Sequence, residues 1–220
     1  MSDYWIAVGD VHGSAARIAE IPGAEEARGI IVSGDITNAG GRRVAASVLR
    51  EIEAVNSAIY AQIGNMDYGD VLGYLEERGW NIHARGVRLE GEIGLMGVGC
   101  SITTPFGTPS EVRDEQVADW LEEAHSSVAQ LSRLILVSHP PPHGTVADRV
   151  DRSRHVGSRA VREFIDRVQP DVCIAGHIHE SDGEERIGRT KLINPGMLPA
   201  GGYAVIRAAS GGLDAELKRV

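Results

Sequence analysis

Short apolar runs alternate with amphipathic stretches along most of this chain, and this alternation limits the fold more than any other feature. Several runs are continuous and rich in β-branched residues, which is typical of strands covered on both faces. The predicted strands are Tyr4–Val8, 29–33, 57–63, 93–99, Arg133–Ser138, 171–175, 189–194, 203–208 and 213–218. Strands separated by helical stretches favour an α/β fold.

Three amphipathic stretches have the apolar spacing of three and four that marks one face of a helix. Their apolar positions are Val44, Val48, Ile52 and Val55; Val117, Trp120, Leu121 and Ala124; and Val161, Phe164, Ile165 and Val168. The second stretch also carries a start signal. Thr108 can cap a helix, Pro109 suits the first helical position, and Glu111 completes a capping box. We therefore expect the second helix to begin near Pro109.

Five short polar motifs follow predicted strands. They are Asp10-Val11-His12, Gly34-Asp35, Gly64-Asn65-Met66-Asp67, Ser138-His139 and Gly176-His177-Ile178-His179. Because functional groups collect at the carboxyl ends of strands in α/β sheets, we expect these motifs to meet at one rim. The neighbouring glycines allow sharp turns and a close approach of the backbone to a ligand.

The motifs supply three carboxylates, one amide and four imidazoles, a donor set suited to two divalent cations. Oxygen and nitrogen donors favour Mn, Fe, Zn or Co over a structural thiolate site. A carboxylate can bridge two cations that lie about 3.5–4 Å apart, so one aspartate is expected at the centre. Spacing favours Asp10 and His12 on one cation, since residues two apart at a strand end point to the same side. His177 and His179 could each reach a different cation.

Each motif residue has an ordinary structural explanation when it is taken alone. An aspartate after a strand is usually a turn or cap residue, and a lone histidine usually lies at the surface. The joint order of five motifs favours the metal site instead. For other histidines we prefer the ordinary explanation: His83 and His125 are expected at the surface, and His155 at or before a helix start. His143, four residues after His139, stays open as a site residue.

Composition restricts the classes of partner. The formal net charge of −9 argues against nucleic acid and anionic membranes, because phosphate backbones need clustered Lys and Arg. No apolar stretch reaches the roughly 18 residues of a membrane span, and the first run is too short for a signal peptide. Cys100 and Cys173 lie in apolar runs outside any CxxC motif, which predicts buried reduced thiols. We expect a single cytoplasmic domain over residues 1–220; a homo-oligomer stays open.

The order of the motifs resembles the calcineurin-like metallophosphoesterase superfamily, from Asp10 to His179 and again at the turn Asn194-Pro195-Gly196. The resemblance implies a four-layer α-β-β-α sandwich of two mixed sheets flanked by helices. It implies that Asp10, His12 and His179 hold one metal, that Asn65, His139 and His177 hold the second, and that Asp35 bridges both. The cations would be divalent, with Mn preferred and Fe, Zn, Co or Ni as alternatives.

The resemblance also implies a chemistry for this site. A hydroxide held between the two metals would attack phosphorus in line with the leaving oxygen. Asp35, Asn65 and His139 are the catalytic candidates, and Asn65 could donate an amide hydrogen to a phosphate oxygen. The expected substrate is a small phosphoester.

The chain departs from the family at three positions. Many members have a histidine after the motif asparagine, where this chain has Met66; that histidine is thought to protonate the leaving group. Protein phosphatases of the family add an aspartate and an arginine after the second motif, where this chain has Asn38 and Ala39. Some small prokaryotic members also lack the histidine. The site therefore resembles one with the nucleophile but without the usual acid.

These departures favour a phosphodiesterase acting on small or nucleotide-like diesters. General acid catalysis contributes roughly 10²–10⁴-fold, and poor leaving groups depend on it most. His143 is a candidate substitute acid, and Arg149 and Arg152 on the same loop are candidate substrate contacts. The alternatives are a phosphomonoesterase of small phosphates and a non-catalytic metal-binding scaffold of the same fold.

Overall fold

The chain folds into two large β-sheets with helices on their outer faces, as a computed structural model of residues 3–151, 154–209 and 212–220 describes. The α-helices are α1 (Arg42–Val55), α2 (Gly69–Glu77), α3 (Asp114–Ser126) and α4 (Arg159–Val168). The strands are β1 (Tyr4–Val8), β2 (Ile30–Val32), β3 (Ile59–Ala61), β4 (Arg85–Arg88), β5 (Ile93–Val98), β6 (Ser101–Ile102), β7 (Glu111–Val112), β8 (Arg133–Ser138), β9 (Val172–Ala175), β10 (Gly183–Ile187), β11 (Thr190–Asn194), β12 (Gly202–Ala209) and β13 (Gly212–Arg219).

Both large sheets are mixed. The first has the order β13-β12-β1-β2-β3, in which β1, β2 and β3 are parallel and β12 is antiparallel to both β1 and β13. The second has the order β10-β11-β9-β8-β5-β4, with four parallel strands between antiparallel edges. A small parallel pair, β6 and β7, stands apart. The carboxyl ends of the parallel strands carry the loops that matter for function.

Alternation of side chains along the central strands produces the four layers. In β1, Ile6 and Val8 pack with α1 and α2 on the outer face, whereas Trp5 and Ala7 pack against the other sheet. In β8, Leu136 belongs to the core under α3 and α4, while its neighbours face the first sheet. Because successive side chains of a strand point to opposite faces, a continuous apolar run fills two cores at once. The predicted α-β-β-α sandwich is confirmed.

The nine predicted strands are present with ends shifted by at most a few residues, and the three predicted helices correspond to α1, α3 and α4. The strands and α-helices that the sequence analysis did not predict are β4, β6, β7, β10 and α2. The strand β10 lies at the edge of its sheet and consists mainly of charged residues, and α2 contains Gly69 and Gly73, so neither has a strong apolar pattern. Across the part of the chain that the structure describes, no helix is long and apolar enough to cross a membrane.

The predicted start of the second helix is wrong. Glu111 does contact Thr108, as a capping box requires, but Glu111 and Val112 form β7 and the helix begins at Asp114. The Glu111 carboxylate also accepts hydrogen bonds from the backbone and hydroxyl of Thr104. These bonds close a loop rather than a helical turn, because β7 pairs with β6 instead of continuing from Thr108.

The expectation that His83 lies at the surface is also wrong. His83 is buried, its Nδ1 accepts a hydrogen bond of 2.9 Å from the Gly99 amide, and its ring meets that of Trp120 edge-on. His125 is half-buried against Phe164, whereas His155 precedes α4 as predicted. The two cysteines are buried and unpaired, as predicted. Burial lowers the pKa of His83 to about 4, so its imidazole is neutral at pH 7.

This burial makes stability depend on pH. An unfolded chain protonates His83 near pH 6.5, whereas the folded protein resists protonation down to about pH 4. Stability is therefore full above pH 6.5 and falls as the pH decreases toward 4, because the unfolded state binds more protons there. We expect His83 to reduce the free energy of unfolding by about 2 kcal/mol between pH 7 and pH 5. Urea unfolding of the metal-free protein at both pH values measures this.

The matched variant is His83→Asn, whose side-chain oxygen can replace Nδ1 as the acceptor from Gly99. The variant should lose about 2 kcal/mol less than the wild type between the two pH values, since Asn does not titrate. An equal loss in both proteins would contradict this account of His83.

Candidate metal centre

The polar motifs meet where strands of both sheets end. Asp10 follows β1, Asp35 follows β2, and His139 follows β8 directly. Backbone hydrogen bonds join these loops, from the Asp10 amide to the Gly34 carbonyl and from the His12 amide to the Asp35 carbonyl. Asp10, Asp35, Asn65 and His139 are all buried. The structure thus brings all seven predicted ligands to one rim, although they are far apart in the sequence.

One cluster joins the first, second and last motifs. The ligand atoms of Asp10, His12, Asp35 and His179 all lie within 4.8 Å of one another. Nε2 of His12 and Nε2 of His179 are 2.9 Å apart, and the His179 nitrogen is 3.4 Å from Asp10 Oδ1. Two imidazoles and two carboxylates that converge on one point fit a divalent cation of intermediate hardness.

A second cluster surrounds the side-chain oxygen of Asn65. His177 Nδ1 lies 2.7 Å from Asn65 Oδ1, and His139 Nε2 lies 3.0 Å from the same atom. His139 Nε2 is also 3.4 Å from Asp35 Oδ1. This group has three neutral or cationic side chains and only one carboxylate. An amide oxygen, two imidazoles and a carboxylate oxygen also suit a divalent cation.

Asp35 belongs to both clusters. Its Oδ2 lies 3.7 Å from His12 Nε2 in the first cluster, whereas its Oδ1 faces His139 in the second. Oδ1 also accepts a 2.8 Å hydrogen bond from the Met66 amide, which fixes the plane of the carboxylate. The two oxygens of one buried carboxylate are thus divided between the clusters, which is an arrangement that suits a bridging ligand.

The backbone at the site adopts uncommon conformations. Asp10, His12, Asp35 and His177 all have positive φ, between 45° and 73°. A left-handed conformation costs a non-glycine residue about 1–2 kcal/mol. Four such residues at one rim indicate that the surrounding fold holds the side chains in place at the expense of local stability.

Asp67, which the sequence analysis counted among the motif carboxylates but not among the seven ligands, ties two of the loops together. Its buried carboxylate accepts hydrogen bonds from the amides of Ile36, Thr37 and Gly64 and from the Thr37 hydroxyl. It thereby joins the loop that carries Asp35 to the loop that carries Asn65. Burial and the nearby Asp35 raise the pKa of Asp67 to about 6. In the sequence, the only sign of this supporting role was the position of Asp67 in the same motif, two residues after Asn65.

The histidines of each cluster differ in their preferred charge. Burial opposes protonation of His139, but Asp35 overcomes this and raises the pKa of His139 to about 9. Burial, aided by His139, lowers the pKa of His177 to about 4. In the other cluster the hydrogen bond to Asp10 raises the pKa of His179, whereas burial lowers that of His12. A divalent cation must therefore displace a proton from His139, so metal affinity falls as the pH is lowered.

The residues that the sequence analysis considered beyond the seven ligands lie in different environments. His143 lies beside Asp148 and His155, with 3.6 Å between His143 Nδ1 and Asp148 Oδ2, so its role as an acid stays a prediction. Arg149 is exposed, and Arg152 lies outside the described residues. Asn38 and Ala39 are exposed as well, and Met66 is half-buried.

The family follows from comparison with known proteins. A profile of the family described as calcineurin-like phosphoesterase matches residues 6–181. The match covers most of the chain, and the protein therefore belongs to the calcineurin-like phosphoesterase family. Metal-dependent hydrolysis of phosphoesters is the general function that this family and the Asp/His cluster support.

Individual relatives agree with this placement. An uncharacterized protein of Methanocaldococcus jannaschii is 35% identical over 170 residues, which are 76% of each chain. The crystal structure of TT1561 of Thermus thermophilus has a TM-score of 0.75 at 16% identity, covering 98% of this chain and 99% of that one. A dimetal phosphatase from Danio rerio has a TM-score of 0.70 at 13% identity, covering 98% and 96%. At these identities the two structures show the shared fold alone.

Close packing around Asp35 leads to a prediction for Gly64. A Cβ atom at Gly64 would lie 2.1 Å from Asp35 Oδ1 and 2.3 Å from the Asp35 amide nitrogen. Gly64→Ala should displace the shared carboxylate and lower the affinity for Mn²⁺ by about 10–100-fold, the usual effect of disturbing the support of a ligand. Overpacking should also reduce the free energy of unfolding by about 1–3 kcal/mol. Calorimetric titration and urea unfolding measure the two effects.

Gly73 provides the control, because it lies in α2 and a Cβ atom there would meet no atom within 4 Å. Gly73→Ala should keep wild-type metal affinity and gain roughly 0.5–1 kcal/mol of stability. Wild-type Mn²⁺ affinity in Gly64→Ala would show that the turn does not fix Asp35.

Proposed function

We propose that this protein is a dimetal phosphodiesterase in which Asp35 bridges two divalent cations. The observation that carries the proposal is the division of the Asp35 oxygens between two clusters of ligands. Asp10, His12 and His179 complete the first site, and Asn65, His139 and His177 complete the second. Mn²⁺ is the preferred cation, because the donors are oxygens and imidazole nitrogens and include no thiolate.

The bound cations would supply an activated water as the nucleophile and neutralise charge on the phosphoryl oxygens. The chain's own residues hold this arrangement. Asp10 accepts hydrogen bonds of 3.1 and 3.2 Å from the His177 amide, which joins the loop after β1 to the loop after β9. Nδ2 of Asn65 donates one hydrogen to Thr108, and its second amide hydrogen is a donor for a phosphoryl oxygen.

The identity of residue 66 supports diesters over monoesters. The Met66 amide touches Asp35 Oδ1, so its side chain originates at the centre of the site, and a thioether can neither donate nor accept a catalytic proton. In addition, the described ion-pair partners of Asp10 and Asp35 are histidines rather than lysine or arginine. A dianionic monoester thus finds no cationic clamp at Ala39, whereas a monoanionic diester with a good leaving group needs less compensation.

For alkoxide leaving groups, His143 is the candidate proton donor, because Met66 occupies the position of the histidine that serves as the acid in many family members. Its side chain is about one-third exposed, next to the buried Asp148, and so it can contact solvent. An unchanged pH–rate profile in His143→Ala would exclude this role.

Two other functions compete with a diesterase. A phosphomonoesterase uses the same cations but prefers dianionic substrates. A metal-binding scaffold needs neither a substrate nor turnover; the complete set of seven ligands argues against it, because a scaffold has no need of a bridged pair.

A substrate comparison tests the proposal. We expect the protein loaded with Mn²⁺ to hydrolyse an aryl phosphodiester with a kcat/KM at least about tenfold above that for a monoester with the same leaving group, since the missing clamp penalises the dianion. Removal of the metal with a chelator should abolish turnover, and parallel assays with Co²⁺, Ni²⁺, Zn²⁺ and Mg²⁺ identify the cation. Faster monoester hydrolysis would favour the phosphomonoesterase, and a metal-loaded protein without any turnover would favour the scaffold.

The role of residue 66 predicts a gain of function. Met66→His, combined with Asn38→Asp to support the imidazole, should raise turnover of an alkyl phosphoester by up to about 10²-fold, the lower range for general acid catalysis. Turnover of an aryl diester should stay the same, because its leaving group needs no proton. Met66→Leu is the control for packing and should leave both rates unchanged. If Met66→His with Asn38→Asp changed neither rate, the missing acid would not explain the substrate preference.

A further inference from the structure

The side-chain amide of Asn65 has different partners at its two ends. Oδ1 faces His177 Nδ1 and His139 Nε2, at 2.7 and 3.0 Å. On the other side, Nδ2 donates a 3.0 Å hydrogen bond to the hydroxyl of Thr108. The two ends of an amide have nearly the same shape, so hydrogen-bond partners decide which end points where. The choice matters because only the oxygen has a lone pair for a cation.

The Thr108 hydroxyl can only accept a hydrogen bond from Asn65 and cannot donate one to it. A hydroxyl has a single hydrogen, and Thr108 Oγ1 donates it to Glu111 Oε1 over 2.7 Å. An ionised carboxylate only accepts, so this hydrogen is committed to Glu111. Toward Asn65 the Thr108 hydroxyl therefore presents only lone pairs, and these accept a hydrogen bond from an N–H group. The hydrogen-bond chain therefore has one direction, from Asn65 through Thr108 to Glu111.

Glu111 is itself held as an acceptor. Its carboxylate accepts hydrogen bonds from the Thr108 amide at 2.8 Å, from the Thr104 amide at 3.1 Å and from the Thr104 hydroxyl at 2.6 Å. Desolvation opposes its ionisation, but these hydrogen bonds overcome that effect and lower the pKa of Glu111 to about 2. The carboxylate is consequently ionised at neutral pH.

The loop that carries Thr108 is fixed to the turn that carries Asn65. The Ser110 amide donates a 3.0 Å hydrogen bond to the Asn65 carbonyl, and the Ser110 hydroxyl donates one of 2.6 Å to the Asp67 carbonyl. These bonds hold the backbone of both segments together without touching the side chain of Asn65. A substitution at Thr108 can therefore change the orientation of the Asn65 amide while the hydrogen bonds of Ser110 still hold the loop in position.

We propose that Thr108 and Glu111 are positioning residues for the second metal: Glu111 binds the hydroxyl hydrogen of Thr108, and Thr108 then accepts a hydrogen from Asn65, which turns Asn65 Oδ1 toward the cation. This inference rests on the proposed role of Asn65 as a ligand. With the amide reversed, Nδ2 would direct its hydrogens at His139, His177 and the cation, and the second site would lose its amide ligand.

Titration of the purified protein with Mn²⁺ tests the inference. Thr108→Val keeps the shape of the side chain but removes the hydroxyl, and we expect it to weaken the second site by about 10–100-fold while the first site stays unchanged. Thr108→Ser retains the hydroxyl and should restore the second site to within about threefold of wild type. Thr103→Val is the matched control, since the Thr103 hydroxyl makes only a 3.5 Å hydrogen bond to the Val112 carbonyl of β7; this variant should bind both cations normally.

A second measurement does not need metal. In the metal-free protein, the side-chain amide hydrogens of Asn65, followed by NMR, should exchange slowly in the wild type and in Thr108→Ser. The hydrogen that Thr108 accepts should exchange faster in Thr108→Val, because its acceptor is gone. Glu111→Gln should also weaken the second site, since a glutamine amide can donate to Thr108. It should add nothing in the Thr108→Val background if Glu111 acts through Thr108.

Several results would overturn the inference. Normal binding of both cations by Thr108→Val would do so, as would a Thr108→Ser variant no better than valine. An equal loss at both sites with a lower Tm would mean that Thr108 merely holds the loop. If the wild type itself bound fewer than two cations, the proposed metal assignment would fail, and amide exchange in the metal-free protein would still decide whether Thr108 orients Asn65.

Discussion

The buried carboxylate of Asp35 is the group on which the site depends. Its two oxygens face two different histidines, His12 and His139, so a displacement of either oxygen affects both clusters. The Met66 amide holds one oxygen directly. The close approach of the Gly64 backbone leaves no room for a side chain between the two loops. Under the proposed function, a carboxylate that is shared, buried and confined in this way would position two cations with one residue.

The rest of the rim provides the rigidity that this carboxylate needs. Asp10, His12, Asp35 and His177 hold left-handed backbone conformations that each cost about 1–2 kcal/mol, so the local sequence alone would not select them. Hydrogen bonds across loops offset this cost, with Asp67 joining the second and third motifs. The strands themselves are anchored by three apolar cores, which lie between the sheets and under each helical layer. Stability in the cores thus permits strain at the site.

The success of sequence-based prediction varied with the kind of pattern. Continuous apolar runs marked central strands such as β2, β8 and β9, because a strand buried on both faces has no polar positions to obscure it. The edge strand β10 and the helix α2 have no such pattern and were not predicted. Thr108 and Glu111 showed the spacing of a capping box, and they do interact, but their contact closes a loop that supports Asn65. His83 was expected at the surface because one polar residue cannot reveal that Trp120 covers it.

The sequence by itself determined the four-layer fold, the family and the identity of seven candidate ligands. The α/β class follows from the periodic apolar residues, whereas the four-layer sandwich and the candidate ligands are implied by the resemblance of the ordered motifs to a known family. Only the tertiary structure decided the distances among these candidate ligands and the residues that support them. It placed the two oxygens of Asp35 in separate clusters, and it gave Asp67, Thr108 and Glu111 their supporting positions. The physical reason is that bridging and orientation depend on distances of a few ångströms between residues far apart in the sequence, and packing sets those distances.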